Sequence, residues 1–186
     1  GPYQGHVVRL SDGREPRKIG WLQCVGSRNI NKMDQPYCSN VCCMYAIKQA
    51  LVTGEHVQGE VNLDIFYMDI RTHGKDFEAA YNQAKDKGIG FIRSRIHSLL
   101  PGPENKGVSV CYADEEGKLS KEHYDLFVLS VGLSPVKDIQ QLARIGGFDQ
   151  NRFGFANCSE FAPVETSRPG IYACGAFSGP KDIPQT

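Results

Sequence analysis

Two short apolar runs frame this chain and limit it to a sheet crossed by helices. Residues 19–25 read Ile-Gly-Trp-Leu-Gln-Cys-Val, and residues 62–69 read Asn-Leu-Asp-Ile-Phe-Tyr-Met-Asp. Runs of that length are too short for buried helices and have the β-branched and aromatic content of central strands. Between them, residues 41–53 read as a helix stopped at Gly54, with Ser39 or Asn40 as its N-cap. Residues 75–87 then place Phe77, Ala80, Tyr81 and Ala84 at helical spacing, and residues 88–93 open another strand. Strands alternating with helices need crossover connections, which predicts a mostly parallel, Rossmann-like α/β sheet.

Residues 108–113 and 124–131 add two strands on either side of a polar turn at Glu116-Gly117, expected as an inserted antiparallel hairpin. Residues 1–18 are polar and read as a leading hairpin or connector. The opening Gly1-Pro2, with no Met before it, reads as the scar of a removed tag on a piece of a longer protein. Residues 19–134 are then the expected Rossmann-like domain. Residues 135–186 are a return segment, with a helix over 137–144 and a buried strand over 171–175.

At 186 residues and 40% hydrophobic content, the chain can bury one principal core. Its formal net charge of +0 gives no field to attract nucleic acid or an anionic membrane surface. No apolar run approaches the roughly 20 residues of a membrane-spanning helix, so a soluble, cytoplasmic protein is expected.

Seven cysteines are many for this length, and four of them, Cys24, Cys38, Cys42 and Cys43, crowd into one strand–loop–helix connection. An odd total and such crowding make a poor disulfide framework, and favour a metal. Iron–sulfur clusters are held by sets of four thiolates, and a helix start stabilises their negative charge. Adjacent residues such as Cys42 and Cys43 point in different directions, which suits separate iron corners better than one tetrahedral zinc. The spacing matches neither the ferredoxin run nor a zinc ribbon, so zinc and a redox disulfide stay open on the residues alone. Cys111, Cys158 and Cys174 stand singly and read as core or surface thiols.

A dinucleotide-binding domain would carry G-x-G-x-x-G after its first strand, and this chain has none. Cys24-Val25-Gly26-Ser27 and the cysteine-bearing helix entry stand there instead, which argues against NAD(P). Trp21, Tyr37 and Tyr45 flank the cysteines and fit either a shield around a cluster or ordinary core packing. The histidines, His6, His56, His73, His97 and His123, show no ligand spacing, and Lys75, Asp76, Glu78, Lys85, Asp86 and Lys87 read as a solvated helix face.

The runs Leu22-Gln23-Cys24-Val25-Gly26-Ser27-Arg28, Tyr37-Cys38-Ser39-Asn40-Val41-Cys42-Cys43-Met44-Tyr45-Ala46, Phe66-Tyr67-Met68-Asp69-Ile70-Arg71 and Gly170-Ile171-Tyr172-Ala173-Cys174-Gly175-Ala176-Phe177-Ser178-Gly179-Pro180-Lys181-Asp182 closely resemble the A subunit of heterodisulfide reductase. The resemblance implies a scaffold like that of thioredoxin reductase and the pyridine-nucleotide-disulfide oxidoreductases, with a 4Fe-4S cluster on Cys24, Cys38, Cys42 and Cys43. It implies FAD in the parent protein, approached by Lys48 and by Gly175, Ala176 and Asp182 at the returning strand. Ala176 stands where many flavoproteins carry Asp, with Asp182 as a stand-in, and Lys48 without flavin is a solvated helix lysine. The implied role is electron transfer, including flavin-based bifurcation, from a hydrogenase- or ferredoxin-type donor to disulfide-reducing partner subunits. The rival expectation is a structural, metal-stapled assembly module without redox function.

Overall fold

A computed structural model describes residues 3, 5–31 and 33–186. Gly1-Pro2, read above as a tag scar, lies outside the described residues. Two compact units emerge, one of residues 1–25 and 42–130, the other of residues 26–41 and 131–186.

In the first unit, strands β1 (Lys18–Val25), β2 (Asn62–Tyr67), β3 (Gly90–Arg93) and β7 (Leu126–Val131) form a sheet ordered β3-β2-β1-β7. β1 pairs parallel with β2 from Lys18↔Asn62 to Leu22↔Phe66, and β2 pairs parallel with β3 from Asp64↔Gly90 to Tyr67↔Arg93. The Asp125 N–H donates to the Lys18 carbonyl at one end of β1, while Gln23 meets Ser130 near the other, so β7 runs in the direction of β1. A second, antiparallel sheet consists of β4 (Leu99–Pro101), β5 (Val108–Ala113) and β6 (Leu119–Tyr124). The expected parallel sheet with an antiparallel insertion is present.

Helices α1 (Cys42–His56) and α2 (Phe77–Asp86) make the crossovers. The buried stripe of α1, Cys42, Cys43, Ala46, Ile47 and Ala50, recurs at helical spacing. Ala46, Ile47 and Ala50 share one core with Ile19, Trp21, Leu63 and Ile65. On the other side of the sheet, Phe66 packs with Ile96, Val110 and Tyr124, its ring stacked on Phe127 at 5.7 Å. Gly20 is dictated by this packing, because a Cβ there would lie 2.7 Å from Phe127 Cζ and closer still to Cε2.

Three readings need correction. The turn at Glu116-Gly117 joins β5 to β6 and not to the strand after it. The Leu-Ser-Lys-Glu-His-Tyr run of β6 is mostly polar because only alternate side chains are shielded. α1 runs past Gly54 to His56, since Gly54 is not in the left-handed conformation of a helix stop. Residues 171–175 form no strand. The Gly170 turn, at φ +83°, folds Tyr172 back on Glu165 in a single bridge, and a 3-10 turn begins at Gly175.

A polar network joins the two sheets of this unit. Tyr124 is buried, and its hydroxyl donates to Asp64 Oδ2 at 2.8 Å and to Glu122 Oε2 at 3.3 Å. Lys18 and Tyr112 both donate to Glu122. Burial pushes the Asp64 carboxyl above its ordinary range, against the Tyr124 hydrogen bond and the Lys18 charge. Burial and the Glu122 hydrogen bond push the Tyr112 phenol up to about 12. Burial works to raise Glu122 as well, yet the hydrogen bonds from Lys18, Tyr112 and Tyr124 hold it low.

The second unit contains α3 (Ile139–Gly146) and a core of Phe148, Ala156 and Ala173, backed by Ala143, Cys158, Ile171 and Phe177. Within it Tyr37 packs on Phe153 and Phe155, with ring centroids 4.9 and 5.5 Å away, and donates to the Leu133 carbonyl at 3.1 Å.

Gly20→Ala should destabilise the chain by about 1–3 kcal/mol through overpacking against Phe127, read from urea unfolding midpoints. Asp64 generates a pH prediction. Folding raises its pKa, so its stabilising contribution is complete below the unfolded value of about 3.9 and is lost as pH rises through the folded value. In Asp64→Asn that loss disappears, and unfolding free energy should gain more, or fall less, than the parent's between about pH 4 and pH 7. Urea titrations at stepped pH check the slope.

Candidate metal centre

Because β1 and β2 are parallel, α1 must return the chain from the C-terminal end of β1 to the start of β2. Its first turn therefore lies over the C-terminal ends of the strands. The neighbours of β1, β2 on one side and β7 on the other, are reached by connections in opposite directions, so this is the topological switch point where α/β sheets bind ligands.

Three of the four expected ligands belong to this end of the first unit. Cys42 and Cys43 are the first two residues of α1 and are buried. The Cys43 thiol lies 3.9 Å from the Asp69 carbonyl, just beyond β2. Cys24, half-buried, is the penultimate residue of β1 and sits at φ +60°, a left-handed conformation that costs a non-glycine residue about 1–2 kcal/mol. Strain of this kind gathers at sites where the surroundings require one geometry. No acidic side chain occupies the first turn of α1 itself, and the helix N-terminus carries the positive end of its dipole.

Cys38 belongs to the second unit, on the loop 26–41, where its Sγ accepts the Asn40 N–H at 3.3 Å. That loop has its own scaffold. Gln35 donates to the Gly26 carbonyl and Arg28 to the Tyr37 carbonyl, while Ser39 Oγ lies 3.1 Å from Ser27 Oγ and accepts the Leu133 N–H. Gly132 is required beside them, since a Cβ would lie 2.6 Å from Ser27 Oγ and closer still to Ser39 Oγ. Ser39 Oγ thus serves the Leu133 N–H, and the Asn40 side-chain N–H donates to Gln185 at 2.9 Å.

Among the described residues, no three His, Cys, Asp or Glu side chains are grouped as a single metal ion requires. The chemistry at the switch point nonetheless fits an iron–sulfur group: thiol donors, a helix N-terminus with no acidic residue in its first turn, and one orphaned buried polar atom. That atom is Gln23 Oε1. Gln23 is 5% exposed and donates from Nε2 to Ser130 Oγ at 2.9 Å, while Oε1 has no hydrogen-bond partner. Neither Gln23 nor Ser130 stands out by motif, but a polar residue continuing the buried alternation of Ile19 and Trp21 is the signal that finds Gln23.

The flavin candidates fall in both units. Lys48 is exposed on α1. In the second unit Gly175 is buried at φ +59°, Ala176 is exposed and brings no polar group, and the Asp182 carboxylate accepts the Gln185 N–H at 3.0 Å as the cap of the turn Ile183–Gln185. Trp21 is core, with Nε1 donating to Gln49 at 3.1 Å, and Tyr45 is 48% exposed.

The fold is that of the thioredoxin-reductase-like disulfide oxidoreductases, with a cysteine-bearing turn at the switch point. The thioredoxin reductase of Lactococcus lactis superposes with a TM-score of 0.56 at 20% identity, over 97% of this chain and 52% of that one. That of T. acidophilum gives 0.55 at 17% identity, over 90% and 46%. No family model matches the chain. Its sequence is 42% identical over 192 residues to the A subunit of the H(2)/formate:CoB-CoM heterodisulfide,ferredoxin reductase of Methanococcus maripaludis. It is 42% identical over 190 residues to an iron-sulfur A subunit of the CoB–CoM heterodisulfide reductase of Methanopyrus kandleri. Both alignments take in 100% of this chain and 29% of the relative. The chain belongs to the family of heterodisulfide reductase A subunits and spans under a third of the length of the curated relatives it matches. No helix among the described residues is long and apolar enough to cross a membrane.

The left-handed Cys24 generates a prediction. Cys24→Gly should hold or raise the unfolding midpoint, whereas Cys24→Val, β-branched, should lower stability by about 1 kcal/mol or more; urea unfolding of the metal-free chain checks both.

Proposed function

We propose that this chain is the iron–sulfur electron-transfer segment of the flavin-containing A subunit of a heterodisulfide reductase, with a 4Fe-4S cluster on Cys24, Cys38, Cys42 and Cys43. The observation that carries this reading is the opening of α1 by Cys42 and Cys43 at the switch point, following the strand that bears Cys24, where a dinucleotide fold would place a glycine-rich turn. Relatives named as iron-sulfur subunits support it.

In this role the thiolates hold the cluster, and the N-terminus of α1 favours its negative charge. When bound, the cluster supplies one-electron transfer. The chain's own residues hold and shield it: buried Cys43 against the Asp69 carbonyl, and Trp21 closing the core beneath the helix. In this reading residues 19–134 carry the cluster-bearing domain, and 135–186 return towards a flavin-binding domain. FAD is held in the longer protein, with Lys48, Gly175, Ala176 and Asp182 contributing. Electrons pass from a hydrogenase- or ferredoxin-type donor to disulfide-reducing partner subunits in the cytoplasm, with flavin-based bifurcation between acceptors. The names of relatives that mention H(2), formate and ferredoxin support this class of partner.

Anaerobically purified or reconstituted chain should contain iron and acid-labile sulfide, with broad visible absorption that dithionite bleaches. Substituting Cys42 or Cys43 by Ser should lower iron and sulfide together. A colourless protein holding one zinc per chain would instead establish the metal-stapled module and overturn the relay.

A further inference from the structure

Gln23 occupies a position at which an amide has no reason to be buried unless a ligand completes it. It is 5% exposed at the C-terminal end of β1, immediately before Cys24. Strand side chains alternate between faces, so Gln23 shares the face of Ile19 and Trp21, against which α1 packs. Since α1 runs back along β1, the residues over this end of the strand are those of its first turn, where Cys42 and Cys43 lie.

The amide has one partner, Ser130 Oγ at 2.9 Å, and one orphaned end. A buried polar atom without a partner costs about 1–3 kcal/mol, a penalty a native fold retains when function supplies the missing partner. Amide oxygen and nitrogen are interchangeable in shape, and the serine hydroxyl can donate or accept. With the amide turned over, Ser130 donates to Oε1, and the NH₂ takes the orphaned position, on the face of β1 that α1 covers. The end that finds no partner within the protein then becomes a buried donor on that face.

We propose that Gln23 is a positioning and tuning residue of the cluster site: its side-chain N–H, fixed by Ser130, donates to a sulfur of the cluster. This rests on the cluster reading above. A donor at sulfur stabilises the additional electron of the reduced cluster, so the amide raises the reduction potential. Sulfur accepts such a bond without being displaced, so Gln23 acts through the cluster's electronics and not as a ligand.

The test compares the anaerobically reconstituted chain with Gln23→Met, close in shape and without an N–H, and with Gln23→Glu. Iron and sulfide content, far-UV circular dichroism and an electron paramagnetic resonance redox titration are measured on each. The expected result is unchanged iron and sulfide with a more negative potential in both variants, about a tenfold fall in the reduced-to-oxidised ratio at fixed poise, or about 59 mV for one electron. An exchangeable-proton coupling in the reduced parent, absent from Gln23→Met, would support the same bond. Unchanged potentials and signals in both variants would overturn this inference and leave the cluster reading intact. A parent chain that takes up no iron and sulfide would overturn both. Variants that lose native circular dichroism along with the cluster would mark Gln23 as a packing residue and overturn the tuning role, whereas loss of the cluster from a natively folded variant would uphold its place at the site.

Discussion

The parallel pairing of β1 with β2 is the constraint on which the first unit depends. Parallel strands cannot be joined by a tight turn, so the chain must leave the C-terminal end of β1 and come back through a helix. That requirement places the N-terminus of α1, where N–H groups have no partner within the helix, over the strand ends. Whatever residues open α1 are thereby offered to a ligand. Nucleotide-binding members of this architecture open the helix with glycines that admit a pyrophosphate; this chain opens it with Cys42 and Cys43, whose side chains fill that place.

The same geometry explains what was legible in the sequence. The strand–helix alternation could be read because each apolar run is bounded by breakers and each helix repeats its buried residues at helical spacing. Cys24, Cys42 and Cys43 stood out by their density, and the alternation of strand and helix is what places all three at one end of the first unit. β6 was not legible, because its run from Leu119 to Tyr124 shows an apolar side chain only at its two ends. Its strand character comes from pairing with β5, a non-local fact. Residues 171–175 looked like a strand on composition, yet their pairing with residues 164–166 stops at the single Glu165–Tyr172 bridge, and Ile171 and Ala173 belong to the small core around Phe148 and Phe177.

Gln23 lies between these cases. Its amide interrupts an otherwise apolar alternation, a visible irregularity in the sequence. Only the positions of Ser130 and α1 turn the irregularity into a chemical statement, and these depend on a strand about a hundred residues away. Functional residues that work through a neighbour leave a faint local mark and a strong spatial one.

The network of Lys18, Asp64, Tyr112, Glu122 and Tyr124 has a consequence for how the first unit opens. Its members come from β1, β2, β5 and β6, so the antiparallel sheet cannot peel away without breaking the Tyr124–Asp64 and Lys18–Glu122 bonds that join it to the parallel sheet. The two sheets are thereby coupled into one cooperative block, and the backbone amides of β5 and β6 exchange with solvent only when β1 and β2 also come apart.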